Sequence, residues 1–278
     1  MMTRYVVAGV DGSGDSRVAA QWAAAEAVRR GLALRLVTVV PPMPKDRPGA
    51  LVRGDGPARE IADGIVRAHP GLDVVARSIE GEPVRVLTEI AQGTRLLVLG
   101  RRGTGGFNGL RLGSVALAVA GAATCSVVLV PVPDEREPHE PEVVVGVDAR
   151  HPDDRALDAA FETAALRGVR LRVLHAWDLP PVLPRDPFGV LEEERAERED
   201  QEVQLVLDVL HSRQLRYPEV GVLPDVRLLG AADALVRASA TADLLVVGRG
   251  PRIGSHLGGV AHAAAHHTHC PVLLAPRH

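Results

Sequence analysis

The chain is written twice. "YVVAGVDGSGDSRVAAQWAAAEAVRRGLALRLVTVV" at 5–40 is matched by "VVVGVDARHPDDRALDAAFETAALRGVRLRVLHAW" at 143–177, "TRLLVLGRRG" by "ADLLVVGRG", and "GSVALAVAGAATCSVVLVP" by "GGVAHAAAHHTHCPVLLAP". A repeat of this length restricts the fold to an architecture that serves both copies. The offset between matched residues is 137 from Asp11 to Asp148, 148 from Gly100 to Gly248 and 145 from Cys125 to Cys270. The second copy has therefore gained 11 residues before its glycine loop and lost 3 within it. Between the copies, "PVPDEREPHEPE" (131–142) is rich in proline and acid and reads as a stiff, solvated connection. The boundaries are set at 1–132 and 143–278, with 133–142 as linker.

Within each copy, short Val/Leu-rich runs without polar alternation mark strands buried on both faces. They alternate with helical patterns, the arrangement of a parallel sheet wrapped by helices. The first copy predicts strands near 4–10, 34–40, 73–79, 96–100 and 126–131, and helices near 15–30, 57–68, 83–92 and 114–123. Gly31 suits a helix C-cap and Pro83 a first helical turn. The second copy follows the same plan, with a charged helix at about 190–215, its charges a solvated face, in place of 57–68. The expected class is α/β: two tandem, open, doubly wound, mostly parallel five-stranded sheets.

Charge and composition exclude several functions. A net charge of -3 and a pI near 6.4 over 278 residues give no general attraction to DNA or an acidic membrane. Aromatic residues at 3% offer no base-stacking platform, and Trp22 and Trp177 read as core residues or pocket walls. Lys45 is the one lysine among 32 basic residues, so a GxxxxGK[ST] phosphate loop is excluded. The start, MMTRYVVAGVDG, has no apolar signal region. Leu112–Val132 is uncharged and long enough to span a bilayer, but Ala, Gly and Ser dominate it and Thr124-Cys125-Ser126 interrupts it. A packed helix followed by a buried strand fits it better. Cys125 and Cys270 read as buried free thiols, and the location as cytoplasmic.

The informative stretch is "LGRRGTGGFNGLRLGSVALAVA" (99–120), with six glycines from Gly100 to Gly113 counting both ends. Glycine loses more chain entropy on folding than other residues, so something must offset the loss. Gly103, Gly105, Gly106 and Gly109 suit either a tight loop or a close approach of amides to a ligand. A helix beginning at Gly113-Ser114 would aim free amides and its positive dipole end at phosphate. Ser114 reads as a cap, as a phosphate donor, or as both in turn. Asp11 ends the first strand before Gly12-Ser13, as a turn residue or as a carboxylate facing the crevice of a doubly wound sheet. There it could accept from a nucleoside while the glycine amides hold phosphates.

The spacing Gly100-x2-Gly103-x9-Gly113-Ser114, between an apolar strand and an Ala-rich helix leading to "CSVVLVP", resembles the ATP-binding motif of the universal stress proteins. "GVDGSGDSRVAAQWAAAEA" and "LHAW" resemble that family's first strand and helix and its second strand. The likeness covers nearly the whole chain, twice. It implies strand order 3-2-1-4-5 and a stress-response module that binds ATP, with Mg2+ an optional companion. It places Gly9, Asp11 and Val39 at the adenosine end, Leu99 and Gly100 on the floor, and Gly103, Gly113, Ser114 and Val115 around ribose and phosphates. It also implies pairing of the two halves across 126–131 and 271–275, and leaves room for a homodimer and a protein partner. Cyclic AMP is the competing ligand. Slow ATP hydrolysis or phosphotransfer, and a nucleotide-independent interaction role, are the competing functions; no catalytic residue is assigned.

The second copy departs from the motif. Pro251 stands where Gly103 would, Gly259 replaces the serine, and Ala149-Arg150 follow Asp148. Weak or absent nucleotide binding is expected there, with Gly254, Gly258 and Gly259 leaving room for a variant site. His262, His266, His267 and His269 read as a polar helix end carrying imidazolium, in preference to a metal site. Arg101, Arg102 and Arg111 read as solvent-exposed flanks of the loop, with a terminal phosphate within reach as the alternative.

Overall fold

The computed structural model describes residues 5–42, 56–105, 111–133, 139–178, 192–250 and 256–276. Residues 1–4, Lys45, Gly106, Gly109, Pro251, Gly254, 134–138 of the linker and the start of the helix expected from 190 lie outside them.

The first half runs β1 (Tyr5–Gly9), α1 (Gly14–Arg30), β2 (Ala33–Val40), α2 (Pro57–Ala68), β3 (Val74–Glu80), α3 (Pro83–Ala91), β4 (Leu96–Gly100), α4 (Ser114–Ala122) and β5 (Ser126–Val130). The second runs β6 (Glu142–Val147), α5 (Asp154–Arg167), β7 (Arg170–Trp177), α6 (Glu192–Arg216), β8 (Val222–Leu228), α7 (Ala231–Ala238), β9 (Leu244–Gly248), α8 (Gly259–His267) and β10 (Val272–Ala275). Each half has the order 3-2-1-4-5, and the sheets join edge to edge into one of ten strands, β3-β2-β1-β4-β5-β10-β9-β6-β7-β8. Every ladder is parallel except the junction, where β5 and β10 run antiparallel with Val128 opposite Leu273.

Local chemistry explains where the elements stop. Gly31 ends α1 in the left-handed region at φ 61, and its N–H donates to the Ala27 and Val28 carbonyls. Pro83 opens α3, and the Glu82 side chain accepts from the amides of Val84 and Arg85. The uncharged stretch around 112–132 divides into the nine-residue α4 and then β5. No described helix is long and apolar enough to cross a membrane.

Helices cover both faces. The core under α1, α2, α5 and α6 is continuous across the two halves, as is the core under α3, α4, α7 and α8. Ala19, Ala20, Ala23, Ala24 and Ala27 are fully buried, so α1 approaches the sheet on a stripe of small side chains.

Across the junction a charged network ties α1 to α5. Glu26, 1% exposed, accepts from Arg30 Nε at 2.7 Å and from Arg167 Nη2 at 2.9 Å. Arg30 continues to Glu162 and to Thr163 Oγ1, each at 3.2 Å. Burial opposes the Glu26 charge, but Arg167 and Arg30 outweigh it and hold its pKa below the ordinary 4.5. Its contribution is therefore complete above that value and lost as pH falls through the folded-state pKa. Glu26→Gln should lower unfolding free energy by about 3 kcal/mol at pH 7, since it strands buried guanidinium groups. Urea denaturation checks this, and the gap from wild type should narrow in acid.

Candidate functional site

The cleft opens at the carboxyl ends of β1 and β4, where the strand order reverses and a doubly wound sheet leaves a crevice. It is a cavity of about 340 Å³. Gly9 and Asp11 border it from the end of β1, Val39 from β2, and Leu99 and Gly100 from β4. Gly103 enters from the loop, and Gly113, Ser114 and Val115 from the start of α4. All nine sequence-derived positions line this one cavity. Sequence reasoning missed Val37 and Leu87, which complete an apolar wall. Both signals were available: Val37 shares a strand face with Val39, and Leu87 lies one turn beyond Pro83.

The glycines at the cleft are required by crowding. Gly9, Gly100 and Gly103 do not adopt positive φ. A Cβ on Gly100 would stand 2.7 Å from the Asp15 carbonyl carbon, and one on Gly103 would stand 2.5 Å from Asp11 Oδ2. Two carboxylates thus bind the loop to the start of α1. Asp11 accepts from Thr104 N at 2.8 Å and Ser13 N at 3.0 Å; buried Asp15 accepts from Arg102 N at 3.1 Å. Burial works against the Asp11 charge, yet bonds from Ser13, Thr104 and Ser16 hold its pKa below the usual range.

Three readings need correction. Ser114 is not the cap: the N-cap is Gly113, and Ser114 begins the helix with its side chain exposed at the cleft. Arg101 is not solvent-exposed: it is 8% exposed, and its guanidinium turns toward the second half. Arg102 and Arg111 remain exposed, Arg102 3.8 Å from Asp15. His266 does not favour imidazolium, because burial, His262, His267 and Arg101 all push its pKa below 6.5. Its ring lies 4.4 Å from that of His262. Among the described residues no three His, Cys, Asp or Glu groups are placed to hold a metal.

The second half keeps the scaffold and changes the chemistry. Thr38 Oγ1 accepts from Ala58 N at the start of α2, 3.2 Å away; the matched residue is His175, whose Nε2 lies 3.0 Å from Glu202 of α6. Glu202 also takes both Arg150 guanidinium nitrogens, at 2.5 and 2.6 Å. Those bonds, against burial and with help from His175, hold the Glu202 pKa below its ordinary value. A polar cavity of about 700 Å³, bordered by Asp148, His175 and Trp177, lies over the ends of β6 and β7. Trp22 packs at the edge of the core in the first half.

Fold and cleft define a doubly wound α/β protein with a ligand crevice at its switch point. The profile described as the Universal stress protein family matches residues 2–131 and 141–276. The chain is 34% identical to a universal stress protein of Mycobacterium tuberculosis over 301 residues, covering 97% of this chain and 94% of the relative. It is 35% identical to one of Mycolicibacterium smegmatis, covering 98% and 97%. A crystal structure of a universal stress protein from Archaeoglobus fulgidus shares the fold, with a TM-score of 0.64, 15% identity and complete coverage of both chains. The chain belongs to the universal stress protein family.

The cysteines form no disulfide. Cys270 is fully buried, and burial pushes the Cys125 thiol up to about 11 against the attraction of Arg249. At pH 8 almost none of it is thiolate, the nucleophilic form. Iodoacetamide at that pH should leave Cys125 unmodified in the native chain and label it after unfolding, read by mass spectrometry.

Proposed function

We propose that the chain is a regulatory, ATP-binding universal stress protein that holds nucleotide mainly in the first-half cleft. The start of α4 carries this reading. Its first-turn amides, on Ser114, Val115 and Ala116, have no acceptor within the helix, Gly113 supplies no capping side chain, and all three residues line the cavity. Converging amides at a helix N-terminus suit phosphate without an ammonium group. Val37, Val39, Leu87 and Leu99 offer the apolar surface an adenine ring requires, and ionised Asp11 has lone pairs left for ribose hydroxyls. A magnesium ion arriving with ATP would draw on Asp11, the one carboxylate among the described lining residues.

Binding is favoured over turnover. Asp11 would be the proton acceptor among the lining residues described, and the bonds that depress its pKa make it a weak base. In the second half, His175 and Trp177 replace Thr38 and Val40 beside the adenosine end, and Arg150 is engaged by Glu202. Nucleotide therefore binds there weakly or not at all. A cytoplasmic location belongs to the same reading.

Calorimetric titration of the full chain with ATP should give one site per chain. Gly113→Val, which adds a branched side chain at the cleft lining with its Cβ 3.4 Å from the Arg101 carbonyl oxygen, should weaken binding about tenfold or more, equivalent to about 1.4 kcal/mol. Gly71→Ala should change nothing, because Gly71 lies outside the cleft lining and a Cβ there meets no described atom within 4 Å. Equal heats for wild type and Gly113→Val, or no heat from wild type, overturn the proposal. Tighter binding of cyclic AMP than of ATP reassigns the ligand.

A further inference from the structure

Arg101 and Arg249 occupy matched positions, one residue beyond the glycines that end β4 and β9, and are 8% and 1% exposed. Each does two things. The Arg101 carbonyl accepts the amide of Gly113, the N-cap of α4, at 2.7 Å. Its guanidinium crosses the junction, where Nη2 donates to Thr268 Oγ1 at 2.7 Å and the Ala264 carbonyl at 3.4 Å, at the end of α8. Arg249 mirrors it. Its carbonyl accepts the amide of Gly258, the N-cap of α8, at 2.8 Å, and its guanidinium donates to the carbonyls of Ala123, the C-cap of α4, and of Cys125, just before β5.

The four links close a ring: start of α4, Arg101, end of α8, start of α8, Arg249, end of α4. Helix C-termini leave carbonyls without partners and attract cations. A buried guanidinium is costly unless its donors are met; Arg101 donates to acceptors on the opposite half, and Arg249 to two there and to the Leu274 carbonyl of its own half at 3.4 Å. The Arg101 backbone is in turn the seat of the α4 N-terminus. The orientation of the Ser114, Val115 and Ala116 amides thus depends on where α8 ends.

We propose that Arg101 is a positioning residue for the first-half cleft, anchored by the second half, so that Thr268, which lines no part of that cleft, sets its affinity. The affinity statement rests on the ATP reading above; the mechanical link does not. The test uses the full chain with Thr268→Val, which removes the hydroxyl acceptor at similar shape, and Thr268→Ser, which restores it. Thr268→Ala stands in if valine disrupts folding. Thr163→Val is the control, since Thr163 is buried on the other face of the sheet and its hydroxyl takes Arg30.

In ligand-free protein, Thr268→Val should speed amide exchange across 113–117, with Thr268→Ser close to wild type. The same variant should lower ATP affinity about fivefold or more, the scale of a coupling between sites. Thr163→Val should lower the unfolding midpoint and move neither readout. Exchange and affinity both at wild-type values in Thr268→Val, or equal losses in Thr163→Val, overturn the inference. If wild type takes up no ATP, the nucleotide reading fails by itself, and the exchange measurement still decides the link: unchanged rates overturn it.

Discussion

The antiparallel ladder between β5 and β10 is the contact on which the rest of the molecule depends. Each half alone would leave its fifth strand as an open, apolar edge, a template for uncontrolled pairing. Here Val127, Val128 and Leu129 face Leu274, Leu273 and Val272, and all six are buried. Both edges disappear at once, and two five-stranded sheets become one. The same pairing brings α1 against α5, so that Glu26 meets Arg167, and brings each half's last helix within reach of the other half's arginine.

On this shared frame the copies have separated chemically. The first ends β2 in small and apolar groups, Thr38 to Val40, beneath a short α2 whose first turn Thr38 caps. The second places His175 to Trp177 at those positions, beneath a helix of 25 residues. The added length carries Glu202 over the strand ends, where it binds both Arg150 and His175. A buried carboxylate needs such partners. Once they are supplied, the ends of β6 and β7 carry a cluster of Glu202, His175 and the half-exposed Arg150, with a polar cavity above it.

Much of this was legible in the sequence because it is local. Parallel strands buried on both faces read as unbroken Val and Leu, and Gly31 and Pro83 mark helix boundaries by backbone conformation alone. The cleft was legible too, since strand ends and a glycine-rich loop are positioned by topology. Arg101 was not, because its acceptors lie 163 and 167 residues away and exist only once the edges pair. Nor was the lowered pKa of His266, which follows from burial and neighbouring charges instead of from its place in the last turn of α8. Ser114 was misassigned by one residue, a distance over which Gly-Ser offers two acceptable helix starts.

The entropy that glycine loses on folding is offset at three positions of the loop by contacts within the chain itself. At Gly100 and Gly103 the missing side chains make room for Asp15 and Asp11, whose carboxylates take the amides of Arg102 and Thr104. The amide of Gly113 is taken by the Arg101 carbonyl. These bonds form on folding, without a ligand, so in the proposed function Arg102, Thr104 and Gly113 are already held in place and the amides at the start of α4 bear little conformational cost when nucleotide arrives. Affinity then depends on how rigidly that helix start is seated. What supports the seat is a pair of carboxylates from α1 and its approach, and an arginine whose anchor belongs to the other copy. Duplication with edge pairing therefore gives the first cleft a support that a single copy does not contain.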